Sequence, residues 1–492
     1  MAKTTSCRYL LRVEGVNLSN VIDDTDQLSV RRGGGLMILN APAALKDSLA
    51  PEIGDRLTEI ATGASIGLFE FIADANTGDD AEAVRVAVEK HLREGSLDYK
   101  TREGNDAKLS LKHGTFVVDI VRVDETDDVQ QKEQLAVAKN RWSQLQQPTL
   151  SLDELWGQDL KESCHWDRTR VATVNHHLPG GKQEMISQTV DERWKYGRDA
   201  RQRFYHGELD HLARDDVPFA KILAGLAFTD DLKKLSGHLP NADVKFSVPD
   251  NLVDKLAVFY VDGNKFGERG RAIFKAEGSS GFREWSTVLR EHHRRLLKDL
   301  ITLTDNDPLW RNGSEIRLET LLWGGDEILW VVPAWKGWEV AEWFFGQPHE
   351  VEVGGKKLPL TYGCGLVFCH AKAPIKNIAA LAHRLGDLTK TARNGMDVHC
   401  LAYEVLESYD DISGDLETHR RRFLPQDADV SKLVINPAAI ATHWKTLTKT
   451  AALSEFPMRQ LYMLTKRWRA GEDFKTQVER LRSACQRDDA NK

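Results

Sequence analysis

Two carboxylates stand directly after a pair of glycines in Leu321-Leu322-Trp323-Gly324-Gly325-Asp326-Glu327-Ile328-Leu329-Trp330, and a third, Asp262, closes the apolar run Leu256-Ala257-Val258-Phe259-Tyr260-Val261-Asp262. Carboxylates at neighbouring strand ends are the hard oxygen ligands that Mg²⁺ or Mn²⁺ takes. A pair of such ions lowers the pKa of an attacking hydroxyl and neutralises a triphosphate, which is the chemistry of nucleotidyl transfer. The glycines suit that use, because they permit positive φ and a close backbone approach to a phosphate chain. The same residues also describe an ordinary exposed hairpin, since Gly-Gly-Asp is a common turn.

Regular elements must hold these acids. The apolar run 256–262 reads as a strand in the middle of a sheet covered on both faces, with Asp262 at its rim. Residues 316–323 and 328–332, rich in β-branched and aromatic side chains, read as the two arms of a hairpin with an acidic tip. Apolar spacing predicts a helix over about 282–300 that returns the chain to that hairpin, placing 316–323 in the sheet of 256–262 with both acids near one edge. A helix over 335–345, a strand over 358–369, a helix over 375–393 and a strand over 398–405 follow. Gly363 and Gly365 inside a strand signal either room for a base or ribose, or a bulge or close helix packing.

Tyr260-Val261-Asp262-Gly263-Asn264-Lys265-Phe266-Gly267, Gly324-Gly325-Asp326-Glu327, Tyr362-Gly363-Cys364-Gly365-Leu366-Val367 and the helix ending in Thr389-Lys390 resemble, in order and spacing, a known palm domain. It is shared by diguanylate cyclases of the GGDEF class and the large subunit of type III CRISPR complexes. The resemblance covers residues 255–406 and, more weakly, the whole chain. It implies an α+β fold with two ferredoxin-like palm domains, the N-terminal one degenerate and the central one catalytic, plus a helical connector and a C-terminal helical domain. The expected boundaries are 1–125, 126–250, 251–410 and 411–492. By the same resemblance Asp262 and Asp326 are metal ligands and Glu327 a third catalytic acid. Gly263, Asn264, Phe266, Gly267, Gly324, Gly325, Lys390 and Arg393 are then the nucleotide-binding positions, with Lys390 near the triphosphate. Asn264 stands where many palm cyclases carry a second Asp, which lowers the local negative charge. No His-Asp dipeptide occurs, so the HD nuclease that often precedes these palms is not expected.

The rest of the chain is less specific. Strands at 65–72 and 114–123 flank a helix at 79–94 in the expected N-terminal palm. Arg31-Arg32-Gly33-Gly34-Gly35-Leu36 lacks the spacing of a phosphate-binding loop and reads as a structural turn rather than an anion cradle. Cys164, His165, His176 and His177 are residue types that zinc prefers, but their spacing fits no standard finger. Arg193 to Tyr205 interleaves basic and aromatic residues, suiting either stacked bases or an amphipathic helix whose arginines snorkel over a core. A helix over 218–235 leads to the central domain, and 437–486 reads as two or three helices.

The chain has 492 residues, 41% hydrophobic and 29% charged, and a net charge of −7. That describes a globular protein of several domains and argues against a surface that coats nucleic acid. No apolar run is long enough to span a membrane, the N-terminus lacks the apolar core of a signal peptide, and the cysteines are scattered; a cytoplasmic location with reduced thiols is expected.

The function expected is a Mg²⁺-dependent (or Mn²⁺-dependent) nucleotidyltransferase that makes a cyclic or short linear oligonucleotide signal from nucleoside triphosphates in CRISPR-like antiviral defence. Its partners would be the triphosphates and a downstream effector protein responding to the product; a homodimer and RNA stay open, and no membrane is involved. The alternative is a catalytically silent nucleotide- or RNA-sensing palm within a larger complex. A diguanylate cyclase proper fits less well, because Ile328 follows Glu327 where that class carries Phe.

Overall fold

The structure is a computed structural model that describes residues 6–74, 78–124, 127–147, 162–178, 181–229, 231–237, 248, 250–305, 307–392, 397–407, 416–421, 434–437, 458–470, 472 and 475–490. Helix and sheet are mixed throughout, as an α+β chain requires.

The first unit runs β1 (Ser6–Val16), α1 (Leu28–Ile53), β2 (Thr58–Gly63), β3 (Ile66–Asp74), α2 (Gly78–Glu94), a small hairpin β4 (Ser96–Lys100) and β5 (Asp106–Ser110), then β6 (Thr115–Val123). Its four-stranded sheet has the order β2-β3-β1-β6, all antiparallel. The next segment holds α3 (Val129–Leu145), the hairpin β7 (Val174–His177) and β8 (Gln183–Ile186), then α4 (Gln188–Asp199), α5 (Arg201–Ala213), α6 (Val217–Ala224) and α7 (Leu232–Ser236). The helix expected over 218–235 is thus two, because Gly225 caps the first and Asp231 caps the second through Lys234 N.

Arg31 to Leu36 lies inside α1 and forms no turn. The glycines there serve a helix crossing: a Cβ on Gly33 would lie 2.0 Å from the Arg193 carbonyl oxygen, and one on Gly197 would lie 1.9 Å from that of Ser29. Arg32 is buried with its charge answered by Glu319, whose two oxygens accept from Nε and Nη2 at 2.6 Å each. The basic and aromatic segment 193–205 has the same inward use. Arg193 and Arg170 both pair with Asp24 at 2.6 Å, Arg201 reaches Glu319 at 2.5 Å, and Tyr196 and Tyr205 are buried. These arginines are enclosed, not snorkelling.

The central unit is β9 (Lys255–Gly263), α8 (Phe266–Asp305), the short pair β10 (Arg311–Asn312) and β11 (Glu315–Ile316), β12 (Glu319–Gly324), β13 (Glu327–Pro333), α9 (Gly337–Gly346), the hairpin β14 (Glu350–Val353) and β15 (Lys356–Pro359), β16 (Tyr362–His370), α10 (Ile375–Ala392) and β17 (Cys400–Val405). Short α11 (Leu416–Arg421) and β18 (Val434–Ile435) follow, and α12 (Met458–Arg469) and α13 (Lys475–Ala490) are the described part of the C-terminal helices. The sheet order is β12-β13-β9-β16-β17-β18, with β9 between β13 and β16 and only β16 and β17 parallel.

Strand β9 is apolar along its length because helices cover both its faces. Ala257, Phe259 and Val261 pack into the core under α8 and α9, while Leu256, Val258 and Tyr260 face Ile378, Leu381, Ala382 and Leu385 of α10. The arm expected at 316–323 is split, with β12 starting only at Glu319, and α8 is far longer than the 282–300 expected, bending where Gly278 takes φ 66°.

Gly363 and Gly365 leave no room for a ligand. A Cβ on Gly365 would lie 1.9 Å from the Ala382 carbonyl oxygen, so the glycine lets α10 sit directly on the strand. Gly365→Ala is expected to destabilise the protein by about 3 kcal/mol, at the upper end of overpacking costs because backbone rather than a rotatable side chain must move. Chemical denaturation measures this, and a loss under about 1 kcal/mol would show that α10 shifts freely.

Candidate active site

The register of β9 and β13 pairs Asp262 with Glu327, and Gly263 N donates to the Asp326 carbonyl at 2.9 Å. Period-two alternation continues the face of Leu256, Val258 and Tyr260, so Asp262 emerges toward α10. The turn itself needs its glycines. Gly324 takes φ 142° and Gly325 φ 61°, and a Cβ on Gly324 would fall 2.4 Å from Ala64 N in the β2–β3 turn of the N-terminal sheet. The acidic turn is therefore braced against the first unit by backbone.

Three carboxyls crowd this corner, and their environments separate them. Burial, then the neighbouring charges of Asp262 and Glu327, push Asp326 up to about 6. Burial also raises Asp262, although the Lys390 ammonium on its Oδ2 offsets part of this. Burial pushes Glu327 upward too, but His383 and the Tyr260 hydroxyl outweigh it and hold that carboxyl below the usual range. His383 Nε2 lies 3.6 Å from Glu327 Oε1, and its Nδ1 lies 3.1 Å from Asp387 Oδ2. The Tyr260 hydroxyl donates to Glu327, and its ring packs on His383 with centroids 4.8 Å apart.

The sign of the Asp326 shift predicts a stability effect. A carboxyl raised in the folded state takes up its proton more readily there, so that contribution is present below the unfolded pKa near 3.8 and lost as pH rises through about 6. Asp326→Asn is expected to stabilise the protein in chelator at pH 8 by about 1–2 kcal/mol, discounted from the full shift for partial exposure, and to bring no gain at pH 4. Urea denaturation at both pH values checks it, and a gain equal at the two would remove the electrostatic cause.

The other expected nucleotide-binding positions divide. Gly263, Gly324, Gly325 and Lys390 surround the acids. Phe266 and Gly267 line a cavity of about 420 Å³ between the N-terminal sheet, α3 and α8, whose rim includes Gly324, Gly325 and Asp326. Trp285, Phe282 and Phe274 make its wall apolar, and Arg12, Arg271, Asn40 and Glu133 give polar points. Asn264 turns elsewhere: its amide donates to Thr361 Oγ1 at 3.0 Å and to the Val398 carbonyl at 3.2 Å. Arg393 lies outside the described residues. Tyr260, His383 and Asp387 join the acids here and are not among the expected site positions. Their signal was available, since His383, Asp387 and Lys390 stand at i, i+4 and i+7 on one helix face and Tyr260 is two residues before Asp262.

Among the described residues no three His, Cys, Asp or Glu side chains gather to hold an ion. A Mg²⁺ carried largely by phosphates needs only one or two carboxylates, so Asp262 and Asp326, hard donors with excess negative charge, fit such an ion. The Cys164 region is not zinc-like. Cys164 packs with Val30, Ile186 and Val190, His176 sits between Trp166 and Trp194 with Nδ1 3.3 Å from Asp191, and His177 is the next residue on β7, on the opposite strand face.

No protein-family model matches the chain, and no curated protein does. Solved structures do. The chain is similar to one from a Csm1-Csm4 cassette in complex with pppApA, at TM-score 0.53 and 12% identity, covering 95% of this chain and 63% of that one. The cassette in complex with cA4 gives 0.51 at 11%, covering 95% and 63%, and that with AMPPNP gives 0.51 at 13%, covering 95% and 64%. At these identities the likeness is one of fold, to Csm1-type large subunits, and the chain spans less than two thirds of the length of those proteins. No helix among the described residues is long and apolar enough to cross a membrane.

Proposed function

We propose that this protein is a metal-dependent nucleotidyltransferase that joins nucleoside triphosphates into a cyclic or short linear oligonucleotide. The observation that carries the reading is the meeting of Asp262, Asp326 and Glu327 at one end of the central strand, under Lys390 and beside a cavity of about 420 Å³. That volume lies in the range of small-molecule sites, and its apolar wall with few polar points suits a nucleoside. The fold likeness to cassettes solved with cA4, pppApA and AMPPNP supports it.

In this reading residues 1–125 and 251–410 are two ferredoxin-like palms, the second catalytic, joined by a connector over 126–250 and followed by a helical domain over 411–492. The strand orders β2-β3-β1-β6 and β12-β13-β9-β16 agree with it, each placing the first strand of its unit inside the sheet. The triphosphate lies beside the Gly324-Gly325 turn, and the nucleoside fills the cavity behind Phe266. Asp262 and Asp326 hold Mg²⁺ or Mn²⁺, which when bound supplies a Lewis acid for the attacking hydroxyl and the phosphates. Lys390 adds a cation against the charge of the phosphoryl group, and Tyr260 and His383 fix Glu327 beside them. The chain's contribution is position and charge. The product would act on an effector protein in CRISPR-like antiviral defence, from the cytoplasm.

Incubation with each labelled ribo- and deoxyribonucleoside triphosphate and Mg²⁺ or Mn²⁺, resolved by mass, tests the reading. A new phosphodiester species with released pyrophosphate, absent in Asp326→Ala, is expected. Binding of triphosphate without any turnover, even with RNA added, would replace it by a sensing palm in a larger complex.

A further inference from the structure

The Lys390 ammonium rests on Asp262 Oδ2 and lies 3.3 Å from Asp387 Oδ1. Asp262 is nearly enclosed, whereas the Lys390 side chain is 42% exposed and that of Asp387 51%. Lys390 is thus a half-exposed group holding an enclosed one, with a second carboxylate one helical turn away along α10. A side-chain rotation moves the ammonium off Asp262 without disturbing the backbone.

We propose that Lys390 is a tethered counter-ion that keeps a divalent cation off Asp262 until a triphosphate draws the ammonium away, so that cation and triphosphate bind only together. The inference rests on the nucleotidyltransferase reading. Two cations cannot share one enclosed carboxylate oxygen without strong repulsion, and a bare aqueous cation, which sheds its water reluctantly, competes poorly with a lysine already in place. A triphosphate changes both sides of that balance. Its oxygens offer Lys390 a more highly charged partner, and they bring the cation with them. Asp387 steadies the ammonium during the exchange.

The test is Mn²⁺ binding to the full chain, followed by electron paramagnetic resonance, with and without nonhydrolysable analogues of the ribo- and deoxyribonucleoside triphosphates. In the wild type a triphosphate analogue is expected to tighten Mn²⁺ by about tenfold or more, within the usual span of coupling between sites. Lys390→Gln should bind Mn²⁺ alone about tenfold tighter than the wild type and lose most of the coupling, while Lys390→Arg, which keeps the charge, stays weak. Lys390→Met is run in parallel in case the glutamine variant does not fold. If neither neutral variant tightens bare Mn²⁺ while the wild type still takes the analogue with Mn²⁺, the inference falls and the nucleotidyltransferase reading stands. If the wild type takes no analogue with any cation, that reading falls and the inference with it.

Discussion

Asp262→Asn is expected to lower nucleotidyl transfer by about a thousandfold or more, while leaving the fold intact. Asp262 stands near the end of a strand enclosed along almost its whole length, is 5% exposed and lies in register with Glu327. Asparagine keeps its shape and removes its charge, so packing along β9 is preserved. What goes is one of two anionic ligands for the cation, and a loss of roughly 4 kcal/mol of transition-state stabilisation corresponds to that factor. Folding should not suffer, because burial and the Glu327 charge already penalise the ionised form, and Lys390 keeps Asp387 as a partner. Pyrophosphate release and product mass, measured beside a denaturation curve, decide the matter. Product within tenfold of wild type would take Asp262 out of the site, whereas lost activity together with a collapsed denaturation midpoint would trace the effect to folding.

The acidic corner was legible because its signals are local. An uninterrupted apolar strand ending in Asp262, a Gly-Gly turn before Asp326 and Glu327, and the apolar stripe of α10 each lie within one element, and sheet pairing brings them together. The interior use of charge was not legible. Arg32 and Arg193 sit in segments that read as a turn and as either a base-stacking face or a helix snorkelling its arginines over a core, because the carboxylates that allow them inside are remote: Glu319 lies 287 positions from Arg32, and Asp24 lies 169 from Arg193. A charged residue is assigned to the surface unless its partner is known, and only the fold supplies the partner. Gly363 and Gly365 were ambiguous for a related reason. A missing side chain signals a close approach without saying whether a ligand or a helix approaches, and here it is α10, through Thr389 at Gly363 and Ala382 at Gly365. The Asn264 amide group already donates to Thr361 and Val398, partners that no local pattern announces.

Glu319→Ala is expected to cost about 3–5 kcal/mol of stability, the scale for removing one partner from a buried ionic group. Glu319 is 1% exposed and accepts from both Arg32 and Arg201, themselves 4% exposed. Without it two guanidiniums stay in a dry interface with their charge uncompensated, and that stranded charge is the larger part of the penalty. Adding Arg32→Met to Glu319→Ala should restore more than half of the loss, because it withdraws one stranded charge and fills the space with apolar volume. Glu350→Ala, which removes the exposed partner of Lys357, should leave the midpoint nearly unchanged. Denaturation of the three variants separates these outcomes, and a loss under about 1 kcal/mol for Glu319→Ala would show that water reaches the triad. The location gives the effect a functional side. Glu319 begins the strand that ends at Gly324, its neighbour Thr320 lies 3.0 Å from the Tyr205 hydroxyl, and the turn at the far end rests on Ala64. The acidic hairpin is therefore held at both ends by the first 205 residues, at its base through ions and at its tip through backbone. Loosening the base should misplace Asp326 before it unfolds the chain, so the Glu319→Ala protein should lose turnover at temperatures where it remains folded.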